Sequence, residues 1–112
     1  MENVVLINPF EVPADQADAE FLADWQAAAD YMRTQPGFVR TRLHRSLRPD
    51  ARFRYVNVAE WTSPEAFQAA VTSDGFRALA GATAPNFPAL YTVVRTLEAA
   101  SDAVGAAERG AS

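Results

Sequence analysis

Apolar and polar positions along the chain fall into blocks of two periods, one close to 2 and one close to 3.6 residues. "NVVLINPF" is a β-branched run that predicts a first strand. Pro9 cannot donate to a ladder, so the chain is expected to leave that strand after Asn8. In "EVPADQADAEF", Asp15 is the predicted cap of a first helix, with Asp18 following and acids in the first turn. Phe21, Trp25, Ala28 and Met32 then recur at helical spacing, which carries the helix to about Thr34 with that face buried; "QPG" ends it. Phe38 to Leu47 reads as a second strand, "RPDA" as a turn with Pro49 preset at its second position, and Arg52 to Trp61 as a third strand. Ser63 and Pro64 open a second helix with a buried stripe of Phe67, Ala70 and Val71. "SDG" interrupts it, and "FRALAGA" adds a further turn or two with Phe76 and Leu79 inward. "TAPNFP" is a loop, and "ALYTVVRTLE" is the fourth strand.

The resulting order, βαββαβ, predicts an α+β fold of the ferredoxin-like type, a four-stranded antiparallel sheet with its helices on one face. On the third strand Val56 and Val58 take one side, and Phe53, Tyr55, Asn57, Ala59 and Trp61 the other. On the fourth, Tyr91, Val93 and Leu97 oppose Leu90 and Val94. Both faces are too apolar for either to meet water, so a homodimer with sheets packed face to face is expected. The 112 residues suffice for one domain, placed at residues 1–98, with a flexible tail over 99–112 that lacks large apolar anchors.

Charge narrows the partners. The formal net charge of −4 disfavours a nucleic-acid or anionic-membrane partner. With no cysteine, thiol catalysis and cysteine metal sites are excluded, and with a single histidine a zinc site is not expected. No apolar run reaches membrane-spanning length, and "MENVVLINPF" has no basic leader region, so a cytoplasmic location is expected. The positive charge is concentrated: Gly37 to Trp61 holds six of the ten arginines and the only histidine.

Candidate chemistry therefore lies on the hairpin and on the strands beside it. Alternation puts Tyr55, Asn57 and Trp61 on one sheet face, with Asn8 across the neighbouring strand, a set suited to a cavity for a flat ligand. Tyr55 adds a hydroxyl donor to this set. His44, the one imidazole, is the candidate proton acceptor. It shares a face with Arg40 and Arg42, either of which could bind an acidic substrate group, while Val39, Thr41 and Leu43 take the other face. Plainer roles exist for each: Trp61 as core, the arginines as a charged edge that discourages strand pairing. Phe76 and Phe87 bracket "GATAPNFPAL", a candidate lid.

With these elements in place, "PGFV", "RFRYVNVAEW" and "TSPEAFQAAVTSDGFRAL" resemble the antibiotic biosynthesis monooxygenase (ABM) family over about residues 3–98. The resemblance implies a dimeric α+β barrel and, among its activities, cofactor-independent oxidation of anthrone-like aromatic polyketides. Other members degrade haem, and related barrels include polyketide cyclases. Asn8 and Trp61 stand where the haem-degrading members place pocket residues, but residues 62–88 contain no histidine to ligate iron. The expectation is a monooxygenase needing no cofactor and acting on a polycyclic phenolic or anthrone-like substrate. Asn8 and Trp61 would hold substrate and oxygen, with His44 or Tyr55 assisting proton transfer. The alternative is a polyketide cyclase or a non-catalytic dimer that binds small aromatic ligands.

Overall fold

The computed structural model describes residues 3–80 and 84–100. Its elements in chain order are β1 (Val4–Phe10), α1 (Asp18–Met32), β2 (Phe38–Arg45), β3 (Tyr55–Trp61), α2 (Pro64–Val71), α3 (Asp74–Ala80) and β4 (Ala89–Tyr91). The sheet runs β2-β3-β1-β4 with every neighbouring pair antiparallel, as the ferredoxin-like order requires. No helix among the described residues is long and apolar enough to cross a membrane.

All three helices cover one face of the sheet. Two apolar clusters fill the space between the layers. At one end Val4, Leu6, Ala59, Trp61 and Ala70 pack together, with Met32, Phe38 and Phe67 against them. At the other, Phe10, Phe21, Tyr55 and Ala84 pack with Val12, Trp25 and Leu43. Trp61 and Phe21 are the largest fully buried side chains. The helical spacing of Phe21, Trp25 and Met32 is thus realised as the inward face of α1.

Four boundaries differ from those the sequence predicts, each for a local reason. β1 continues through Pro9, which pairs with Val56. The Pro9 carbonyl accepts from Phe87 N at 3.1 Å, so the missing N–H faces the 85–87 segment and costs the β1–β3 ladder nothing. The first helix is capped at Ala17, not Asp15, and no side chain caps it. Asp18 and Glu20 supply negative charge to the first turn instead, and Arg54 ties that end down through the Gln16 carbonyl (3.0 Å) and Asp18 (3.2 Å). The hairpin strands end at Arg45 and begin at Tyr55, so the connection is longer than the "RPDA" turn; Leu47 is fully exposed. β4 has three residues where ten are expected. Tyr91 lies opposite Val5, so β1 runs out of partner backbone within two further residues. Val93, Val94 and Leu97 continue exposed. Of the expected tail, residues 101–112 lie outside the described residues.

The second helix starts as its sequence implies: Ser63 Oγ accepts from Ala66 N at 3.1 Å and Pro64 is the first helical residue. Gly37 enters β2 at φ 88°, and an added Cβ there would overlap Ala66 Cβ and come within 2.9 Å of Thr62 Oγ1. The Gly37 carbonyl accepts from Thr62 N at 2.8 Å, so this glycine fixes β2 against the start of α2.

Among the described residues, nothing covers the opposite sheet face. Val5, Val56 and Val58 are half-buried there, while Ile7 and Tyr91 are exposed. Arg40, Arg42 and His44 share this face at the β2 edge.

Candidate active site

Between the helices and the sheet lies a cavity of about 430 Å³, within the ~300–1,000 Å³ range of small-molecule sites. It occupies the gap between the two apolar clusters. The cause is visible in the strand sequences. On β1 the inward residues are Leu6, Asn8 and Phe10; on β3 they are Ala59, Asn57 and Tyr55. Asn8 and Asn57 are directly opposed in register, so one cross-strand amide pair interrupts an otherwise apolar surface.

The walls are mostly aromatic and aliphatic. Trp61 meets Phe38 and Phe67 edge to face, with ring centroids 5.3 and 5.7 Å away. Trp25, Met32 and Phe76 complete the helical side. The polar lining consists of Asn8, Asn57, Thr41, Gln68 and Asn86. None of the described lining residues carries a titratable side chain. Among the described residues, no group of three or more His, Cys, Asp or Glu could hold a metal ion.

Two hydrogen bonds organise the amides. Thr41 Oγ1 donates to Asn57 Oδ1 at 2.5 Å. Asn8 Nδ2 donates to Asn86 Oδ1 at 3.2 Å, and Asn86 Nδ2 donates to the Ala84 carbonyl at 2.9 Å. The strap carrying Asn86 is itself pinned to β1 and its exit by Glu11 N to the Pro85 carbonyl (2.8 Å) and by the Phe87–Pro9 bond. Two buried lining atoms have no hydrogen-bond partner, Asn8 Oδ1 and Trp61 Nε1. Leaving such an atom unpaired costs about 1–3 kcal/mol, a penalty that a bound group or water in the cavity would relieve.

The structure gathers Asn8, Asn57, Trp61 and Phe76 around the cavity and leaves the other predicted residues outside it. Tyr55 is buried in the neighbouring cluster, stacked on Phe21 at 4.5 Å and 22°, and does not line the cavity. Phe87 is half exposed and packs edge-on against Phe53 at 6.0 Å; Asn86 and Pro88 line the cavity instead. Arg40, Arg42 and His44 are on the uncovered face, because β2 alternates and Thr41 takes the inward position opposite Ala59. His44 Nδ1 lies 3.3 Å from the Val56 carbonyl, and Arg40 reaches Glu60 at 3.8 Å. A bulge between Phe38 and Arg40 removes Val39 from the inward set as well. Sequence reasoning missed Thr41 and Asn86. Thr41 had a signal, as the one polar member of the alternate set Val39, Thr41, Leu43.

An antiparallel βαββαβ sheet roofed by helices over an amide-and-aromatic cavity defines a class before it defines a protein. The family model described as Antibiotic biosynthesis monooxygenase matches residues 3–82, and the chain belongs to this family. It is 34% identical over 113 residues to the deoxynogalonate monooxygenase of Streptomyces nogalater, a match spanning 96% of this chain and 91% of that protein. Among solved structures it is similar to SnoaB, a cofactor-independent oxygenase from Streptomyces nogalater (35% identity, TM-score 0.76, covering 87% of this chain and 98% of that one). It is also similar to a protein from Shewanella loihica assigned as a monooxygenase (41% identity, TM-score 0.74, 85% and 97% covered).

Proposed function

We propose that this protein is a cofactor-independent monooxygenase that oxidises a flat phenolic or anthrone-like aromatic substrate and acts as a homodimer. The observation that carries the reading is an aromatic cavity whose polar groups are amides, a hydroxyl and an indole N–H, with no acid or base among its described lining residues. Such a site can hold and polarise a substrate. It suits a substrate acidic enough to supply its own carbanion, as an anthrone is.

The chemistry balances without an added reductant. The methylene opposite the ring carbonyl loses a proton, and its negative charge spreads onto the carbonyl oxygen. The anion passes an electron to O2, the resulting radicals combine into a C–O bond, and the peroxide takes back a proton. Loss of water from the hydroperoxide leaves a second carbonyl. One oxygen atom ends in the product and one in water, and the substrate provides all four electrons. The amides and the Trp61 N–H stabilise the oxyanion as charge develops, which is where preorganised donors lower a barrier most. The aromatic walls hold the rings in place for the reaction. With His44 on the far face and Tyr55 in the core, neither serves as the proton acceptor in this reading; the proton leaves to water. The likeness to SnoaB, described as a cofactor-independent oxygenase, supports the same reading.

The uncovered face supports the dimer. Val5, Ile7, Val56, Val58 and Tyr91 form an apolar strip on the sheet, continued by Val93 beyond β4. A second copy packed on this face would bury it.

The test is oxygen uptake by protein freed of metal and flavin, given 1,8-dihydroxyanthrone. The expected result is one O2 consumed per quinone formed, well above the spontaneous rate. Uptake no faster than that background overturns the oxygenase reading, and ring closure of a poly-β-ketone substrate under argon assigns a cyclase instead. That no described lining residue is basic favours the oxygenase over a cyclase, which needs a base.

A further inference from the structure

The two central amides are not interchangeable. Asn57 spends its oxygen on the Thr41 hydroxyl, and its Nδ2 donates to no atom of the described residues. Asn8 spends its nitrogen on Asn86, and its buried Oδ1 has no partner. Asn86 cannot reverse its own amide freely, since its Nδ2 is held by the Ala84 carbonyl. The two side chains are direct cross-strand neighbours on the cavity wall. A donor and an acceptor therefore stand side by side, each with its opposite end already committed.

We propose that Thr41 and Asn86 are positioning residues that set these amides in opposite senses, so that the cavity selects ligands bearing a hydroxyl and a carbonyl oxygen on the same edge. Asn57 Nδ2 donates to the carbonyl or oxyanion oxygen, and Asn8 Oδ1 accepts from the adjacent hydroxyl. The inference rests on the cavity being the substrate site, as proposed above, and narrows the substrate class to peri-hydroxylated ring ketones. A ligand lacking the hydroxyl leaves the Asn8 oxygen unpaired, and the penalty for that is what makes such recognition selective.

Binding under argon separates recognition from oxidation. Tryptophan quenching in the full chain is measured with 1,8-dihydroxyanthrone and with unsubstituted anthrone. Wild type should bind the hydroxylated ligand at least tenfold more tightly. Asn86→Ala, which frees the Asn8 amide to turn, should lose at least fivefold of that affinity while binding unsubstituted anthrone within twofold of wild type. Thr41→Val, close in shape but without the hydroxyl, should weaken both ligands at least threefold, because Asn57 serves the carbonyl they share, and Thr41→Ser should restore both. The Asn86→Ala and Thr41→Ser comparison stands by itself if Thr41→Val does not fold. A merely structural role for Asn86 would weaken both ligands alike. Equal binding of the two ligands by wild type, no binding of either, parallel losses in Asn86→Ala, or wild-type binding by Thr41→Val overturns the proposal. Selective binding without oxygen uptake would sink the oxygenase reading and leave this one standing. Uptake without selectivity would do the reverse.

Discussion

The two faces of this one sheet are built from alternate residues of the same strands, yet they differ in every property that matters for function. Under the helices lie Leu6, Asn8, Thr41, Asn57 and Trp61 around a cavity. On the other side lie Ile7, Arg42, His44, Val56 and Val58 with none of the described residues over them. The charged face carries the more conspicuous residues, while the covered face carries the fewer and less reactive ones. The contrast teaches that enclosure, more than intrinsic reactivity, decides which side chains can act. An amide set among aromatic walls is a stronger recognition element than an exposed histidine, because its hydrogen bonds compete less with solvent.

The sharpest way to break this contrast is to place the same charge on each face. Leu6→Asp puts an unpaired carboxylate into the packed cluster beside Trp61 and should cost more than about 4 kcal/mol, leaving no folded protein by circular dichroism. Ile7→Asp, one residue along, should leave the fold intact; combined with Val58→Asp it should turn the proposed dimer into a monomer by light scattering. If both Leu6→Asp and Ile7→Asp unfold the chain, the open face is part of the protomer core and the contrast fails. Next in size is Gly37→Ala. The positive φ and the overlap with Ala66 should lower stability by about 2–4 kcal/mol, read as a drop in the denaturant midpoint. Smaller is Trp61→Phe: it keeps an aromatic ring but removes the indole N–H, and should lower kcat/KM about tenfold, or ~1.4 kcal/mol of transition-state stabilisation, alongside a loss of stability from the buried volume it gives up. Smallest is Arg42→Gln on the open face, expected to change kcat/KM less than twofold.

Much of this was legible in the residues. The spacing of Phe21, Trp25 and Met32 marked the inward face of α1, and alternation on β3 correctly grouped Asn57 with Trp61. Ser63 and Pro64 marked the start of α2. What stayed hidden depends on contacts across long stretches of chain. The bond from Asn8 to Asn86 joins residues 78 apart, and a lone asparagine between two prolines gives no sign of it. Alternation separated His44 and Arg42 from Thr41 correctly, but only the register of β2 on β3, with its bulge, shows which set faces the helices. The apolar alternation after Ala89 overstated β4, since pattern alone cannot reveal that β1 ends opposite. Tyr55 shares the parity of Asn57 but sits one pleat beyond the cavity, where Phe21 covers it.

The central claim, that the enclosed amides and not the exposed imidazole carry the chemistry, is tested most directly by one oxygen-electrode comparison on 1,8-dihydroxyanthrone. Wild type, Asn57→Ala and His44→Ala are assayed side by side, free of metal and flavin. The account predicts that Asn57→Ala loses at least tenfold in kcat/KM while His44→Ala stays within twofold of wild type. Loss of activity in His44→Ala with Asn57→Ala unaffected would contradict it.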